Sequence, residues 1–195
     1  PDLKAINRLL KQDLQMTDIE IDGIRVRGHK SGLRLDFDLL SLGYAIDSQL
    51  EHLVALGINH ASIRIGPLLR TLGEVPPAAA LNNQHKSIVL RPGEALCHYS
   101  ASDSRFPKTG RLDPRDAWPV KPVPTVVVVH HNARTASVAC AALSVISEDE
   151  WDTVVRTFEL TYAWWRRGEG ESITPAMRLR LNRSKDSKAG KETEN

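Results

Sequence analysis

The sequence predicts an α+β fold of layered mixed sheets with packed helices. Three observations predict it. Short stretches with period-two alternation recur along the chain, as in "DIEIDGIRVRG" and "HASIRIG". One β-branched run, "TVVVVHH" at residues 125–131, does not alternate, as expected of a central strand buried on both faces. Between the strands lie segments with apolar residues three and four apart, the period of a helix with one buried face. Helices and strands do not alternate regularly, which sets aside a doubly wound parallel sheet.

The elements follow in order. Residues 2–10 carry Leu3, Ile6, Leu9 and Leu10 on one helical face, with Asp2 as the cap. Ile19 and Ile21, then Ile24 and Val26, alternate with charged residues about Asp22-Gly23, a hairpin signature. Leu35, Phe37 and Leu39 alternate with Asp36 and Asp38, which predicts a third strand over residues 33–39. That strand is expected to turn at a Gly43-Tyr44 corner into a helix over residues 44–56. Asp47 would lie in the helix's first turn and Gly57 would be its stop. Ala61, Ile63 and Ile65 share one face of a strand, with Ser62 and Arg64 on the other. Residues 73–84, rich in Pro, Gly and Asn, read as a loop. Two short strands are expected around Pro92-Gly93, and residues 102–124 as turn-rich and exposed.

After the valine strand, Ala136, Ala139, Cys140, Leu143 and Ile146 form a helix face small enough to lie close on a sheet. Ser147 and Glu150 have capping-box spacing for a further helix that buries Trp151, Val154, Val155 and Phe158. "LTYAWWRR" is expected to be the last strand, ending in the "GEGES" turn. This divides the chain into a domain over residues 1–182 and a polar tail over 183–195. The tail's one apolar residue is Ala189, and disorder is expected there.

Composition narrows the classes. The 195 residues are 41% apolar and 26% charged, the profile of a soluble globular protein. No run of roughly 18 or more apolar residues is present, so no membrane-spanning helix and no membrane partner are expected. The sequence starts at Pro1 without a basic-then-apolar leader, and no signal peptide is expected within it. A net charge of +2 does not suggest a nucleic-acid partner. Cys97 and Cys140 lack zinc-site spacing and read as two buried thiols, with a single disulfide left open.

Five stretches in register carry a resemblance: "GLRLDFDLLSLGYAID", "LVALGINHASIRIG", "GRLDPRDAWPV", "TASVACAALSVIS" and "SITPAM". Together they resemble the FAD:protein FMN transferase, or ApbE, family. The resemblance implies an ApbE-like, T-fold-like core that lacks the family's N-terminal portion. It also implies an ancestry of hydrolysing FAD, passing FMN to a Ser or Thr of an acceptor protein and releasing AMP, with magnesium on the pyrophosphate. Members of the family are often exported.

Carried over residue by residue, the resemblance implies cofactor-binding positions at Ser41, Gly43, Tyr44, Gly66 and Asp113. It implies metal-ligand positions at Ser41, through its carbonyl, and at Ser137 and Ala141. The ligand chemistry is eroded. Ser137 stands where the family has Asp, Ala141 where it has Thr, Leu42 where it has Lys, and Gly110 where it has His. Pro67 and Leu68 replace a flexible Gly and an acidic group, while Gly43, Tyr44, Ala45, Asp47, Gly57, Asp113, Pro114 and Arg115 are kept. Magnesium needs several hard oxygen ligands. The expectation is therefore a non-catalytic scaffold or partner-binding relative with no catalytic residue, no cofactor and an unknown protein partner. The alternative is an active transferase or flavin-binding protein with an altered metal site, which would take FAD and magnesium.

Other constellations read as structural. Asp36 and Asp38 share the solvent side of the predicted edge strand. His130 and His131, adjacent at a strand end, are expected to point to opposite faces, so they cannot both ligate one metal without a bend. His98 with Ser100 and Ser102 lacks an orienting acid and an oxyanion site. Trp164-Trp165 beside Arg166-Arg167 reads as one core and one surface tryptophan rather than a base-stacking platform.

Overall fold

A computed structural model describes residues 3–181 apart from 32, 34, 36, 75–78, 82–85, 101–110 and 117. The tail over 183–195 and the positions Asp36, Ser102 and Gly110 lie outside the described residues.

α1 (Leu3–Leu10) is followed by a hairpin of β1 (Ile19–Asp22) and β2 (Arg25–Gly28). Asp22 pairs with Arg25, so the two turn residues are Gly23 and Ile24, one step later than the Asp-Gly signal suggests. Gly23 supplies the positive φ of 57° that the tight turn needs.

Among the described residues of 33–39, none lies in the expected third strand. Asp38 instead opens α2 (Asp38–Ala55), so the helix starts six residues before Tyr44. Gly43-Tyr44 is not a corner but part of the helix interior, and Asp47 lies in its middle rather than its first turn. The reason lies in the periods. Leu35 and Leu39 are four apart, a spacing that shares a face in both a strand and a helix. Leu39, Gly43, Ile46 and Leu50 then continue the stripe at steps of four, three and four, and all are buried. Asp38 therefore sits in the first helical turn, not on an edge strand beside Asp36.

The main sheet has six antiparallel strands. They are β3 (Ala61–Ile65), β4 (Leu68–Leu72), β7 (Ala95–Tyr99), β8 (Thr125–His130), β9 (Tyr162–Arg167) and β10 (Gly170–Ile173), side by side in that order. β4 and β10 are additions to the sequence reading. The Gly66-Pro67 turn folds β4 back on β3, and Gly168 with Glu169 folds β10 back on β9, so β9 is not the last strand. β5 (Ala79–Leu81) falls within the segment read as a loop and pairs with β6 (Lys86–Ile88), which with β7 forms the two short strands expected around Pro92-Gly93.

α2 and α3 (Ala133–Leu143) cover one face of this sheet, with α4 (Trp151–Thr157) beside them. A helical stretch at 175–181 contributes Met177 and Leu181 to the other face. The valine strand divides between the two cores. Val126 and Val128 pack with the helices, whereas Val127 and Val129 pack with Leu96, Trp164 and Met177. Burial on both sides is why β8 reads as a continuous apolar run. The tryptophans divide likewise, Trp165 into the first core and Trp164 into the second, so neither is a surface residue.

Candidate functional site

The site begins where α2 crosses α3. Gly43 has no side chain, and a Cβ placed there would stand 2.6 Å from Ser137 Oγ, 2.7 Å from the Ala133 carbonyl and 2.8 Å from Arg134 Cα. Glycine thus lets the two helices touch through their backbones. Ser137 is fully buried at this contact, and its hydroxyl donates to the Arg134 carbonyl at 2.8 Å.

One turn along α2, Asp47 is buried and reaches the N-terminus of α3 rather than that of its own helix. Its Oδ1 accepts from the Ala133 N–H at 2.8 Å and its Oδ2 from the Arg134 N–H at 3.1 Å. A carboxylate placed on two unsatisfied helix N–H groups is favoured both by hydrogen bonding and by the helix dipole. Arg70 on β4 donates to the same Oδ1, and Arg134 Nε stands 3.6 Å from Oδ2. Asn132 completes the cap by accepting from the Thr135 N–H at 2.7 Å.

The surroundings are cationic and aromatic. The Arg134 guanidinium lies 5.7 Å from the centre of the exposed Tyr44 ring. His130 and His131 lie with ring centres 3.9 Å apart and planes tilted by 39°, because the chain leaves the strand between them. The expectation of opposite-facing rings is therefore corrected. Burial, then the neighbouring His131, holds the His130 pKa below the ordinary histidine value. Its Nδ1 accepts from the Asn132 N–H at 3.2 Å, which fixes the neutral ring's remaining proton on Nε2.

Of the positions singled out by sequence, the structure brings Gly43, Tyr44 and Ser137 to this crossing. Ala141 follows one turn after Ser137 on α3 and is half-buried. Ser41 is exposed on α2, and its hydroxyl donates to the Asp38 carbonyl at 2.9 Å. Gly66 serves the β3–β4 turn with φ 55°. Asp113 is engaged elsewhere. Its carboxylate accepts from Arg115 Nε at 2.8 Å and Nη2 at 2.7 Å, while Arg115 Nη1 donates to both oxygens of Glu150 at 2.8 Å. Hydrogen bonding from Arg115 holds Asp113 below the usual carboxylate range.

Sequence reasoning did not find Arg70 or Arg134. Arg70 lies on a strand that was not anticipated. Arg134 carried a signal, since a cation in the first turn of a helix opposes the dipole and calls for a nearby anion. The two cysteines are buried free thiols, and burial followed by the adjoining Cys140 thiol pushes Cys97 well above its ordinary pKa.

A helix pair joined through a buried glycine and packed on a six-stranded antiparallel sheet makes this a layered α+β domain. The sequence model of the ApbE family matches residues 1–164, and the chain belongs to that family. A FAD:protein FMN transferase of Rhodobacter capsulatus is 30% identical over 192 residues, which cover 91% of this chain and 36% of that protein. Among solved structures, the flavinyl transferase ApbE of Pseudomonas stutzeri superposes with a TM-score of 0.74 at 22% identity, covering 93% of this chain and 61% of that one. The ApbE protein of Thermotoga maritima gives 0.72 at 20% identity, covering 93% and 64%. The chain thus spans about a third of the curated relative and under two thirds of the solved ones.

Proposed function

We propose that this chain is a non-catalytic member of the ApbE family that works by engaging a protein partner. The observation that carries the reading is the donor set at the α2–α3 crossing. Magnesium takes hard oxygen ligands in a near-octahedral array. Of the three positions where the resemblance puts ligands, Ser41 offers a single backbone carbonyl, Ser137 bears a neutral hydroxyl that donates to a carbonyl of its own helix, and Ala141 has no side-chain donor atom. The carboxylate at this crossing, Asp47, already serves two N–H groups and Arg70. Among the described residues no group of three His, Cys, Asp or Glu side chains converges as a metal cage. Such a set does not fit a magnesium ion, and no step of the relatives' reaction is derived through one.

The test is flavin transfer itself. The chain is incubated with FAD, Mg²⁺ and an acceptor protein carrying the family's Ser/Thr motif, with the Rhodobacter capsulatus relative as positive control. The expected outcome is no covalent flavin on the acceptor above a no-protein blank, and flavinylated acceptor overturns the reading. A second reading, metal-independent flavin binding, is favoured by the exposed Tyr44 ring with Arg134 beside it. Calorimetry with FAD in the presence of a chelator decides between the two. Binding that Tyr44→Ala removes establishes the second.

A further inference from the structure

Cys97 and Cys140 are the two cysteines of the chain, so an intrachain disulfide has a single possible pairing. They come from β7 and α3, and the fold lays one against the other. Successive residues of a strand face opposite sides. Ala95, Cys97 and Tyr99 accordingly face the helical layer, and Leu96 faces the other core. On α3 the buried face includes Ala133, Ala136, Ala139 and Cys140. These side chains are small, and they let the helix lie close on the sheet. Cys140 thereby adjoins Cys97, and the two are 1% and 0% exposed. Cys97 is opposite Leu68 of β4 on one side and Val128 of β8 on the other, so its strand is held from both edges.

We infer that Cys97 and Cys140 form a disulfide site that closes while the chain folds under oxidising conditions and ties α3 to the centre of the sheet. In a reducing compartment the pair stays as two thiols.

The folding stage is set by access. In the folded chain neither sulfur meets water, and a Cys97 thiol held protonated by burial supplies little of the thiolate that attacks a disulfide. Before α3 docks, both sulfurs are open to a small oxidant such as glutathione disulfide. One cysteine thiolate, its proton given to water, attacks the oxidant. A mixed disulfide forms and one glutathione thiolate leaves. The second cysteine thiolate attacks the protein sulfur of that mixed disulfide, so the intrachain bond forms and the second glutathione leaves. The two glutathione thiolates take up the two protons. Two protein thiols are oxidised and one glutathione disulfide is reduced. The bond then restricts the unfolded chain between residues 97 and 140, which favours the folded state.

The experiment is refolding of the 195-residue chain from urea in two buffers, one with glutathione disulfide and one with reduced dithiothreitol. The oxidised product is expected to show no free thiol when denatured without reductant and to have lost the mass of two hydrogens. Its unreduced digest is expected to contain the Cys97 and Cys140 peptides joined, and its Tm to exceed that of the reduced product by about 5–15 °C. Cys140→Ala is expected to remove the difference in Tm between the buffers. Two free thiols, glutathione left on the chain, or a bond between two chains overturns the inference. So does an oxidised product with no gain in Tm, or one that fails to regain the native circular dichroism when the reduced control regains it. Closure at the same rate in the already folded, reduced chain overturns the assignment to the folding stage.

Discussion

Gly43 and Asp47 show how much a single position decides here. In an isolated helix Gly→Ala is worth about 1 kcal/mol of stabilisation. At Gly43 the new Cβ would fall inside contact distance of the Ala133 carbonyl and Arg134 Cα, which are backbone and cannot rotate away. Overpacking of that kind costs about 1–3 kcal/mol, so the clash outweighs the propensity. Gly43→Ala is expected to lower the urea midpoint of unfolding, and Ser137→Gly in the same chain is expected not to restore it. Recovery in the double variant would place the clash at the serine hydroxyl alone. Asp47→Ala strands a largely buried Arg70 and opens the α3 cap, for an expected loss of about 3 kcal/mol. Asp47→Asn keeps an acceptor for the N–H groups and is expected to cost about 1–2 kcal/mol. A double-mutant cycle with Arg70→Met is expected to come out below the sum of its singles. None of this was legible beforehand, because the sequence reading gave Asp47 to the end of its own helix. Its partners, 86 and 87 residues away in sequence, are fixed only by the helix crossing.

Elements were more legible than contacts, and the exceptions have one cause. β8 was read as doubly buried from four successive valines, and α3 from its small residues, since long uniform patterns admit one interpretation. The capping box of Ser147 and Glu150 forms as its spacing implies, with Ser147 N–H donating to Glu150 at 2.9 Å. The segment 33–39 is too short to separate a period of two from one of 3.6, and it was resolved by the downstream stripe through Leu50. β4 was missed because residues 67–72 were given no element, and β10 because its first three residues were read as part of the GEGES turn. The Asp113–Arg115–Glu150 bridge belongs to this scale, since it ties the 111–116 turn to the start of α4 and also holds the Val145 carbonyl. Both carboxylates are depressed, Asp113 chiefly by Arg115 and Glu150 chiefly by the Ser147 N–H with Arg115 next. Depressed carboxylates add stability that is complete above their ordinary values of 3.8 and 4.5 and is lost as pH falls through the lower folded values. Thermal stability is therefore expected to drop on acidification below pH 4.5, and Arg115→Met is expected to make that acid limb shallower. An unchanged limb would show that the bridge is not the source.

At the scale of the whole molecule, a six-stranded antiparallel sheet separates two cores, and the fold is that of the ApbE family. The scaffold glycines, turns and helix stops that carry the resemblance are the features that hold this architecture. At the α2–α3 crossing Ser137 contributes a neutral hydroxyl, and Asp47 is engaged by two N–H groups and Arg70. Family and fold class were readable from five short stretches. The electrostatics of the crossing were not, because Arg70, Asp47 and Arg134 come from three elements that meet only in the folded chain.

Trp164 and Trp165 are neighbours in sequence but report on separate halves of the protein. Trp164 faces the 175–181 side and donates its indole proton to Glu171 at 2.7 Å, whereas Trp165 lies under the helices, its indole nitrogen without a partner among the described residues. Indoles that differ in hydrogen bonding differ in emission. The chain has two further tryptophans, Trp118 and Trp151. With those two also replaced by phenylalanine, removing either member of the pair leaves a single fluorophore on one side of the sheet, so the loss of the helical layer and of the opposite layer can be timed separately.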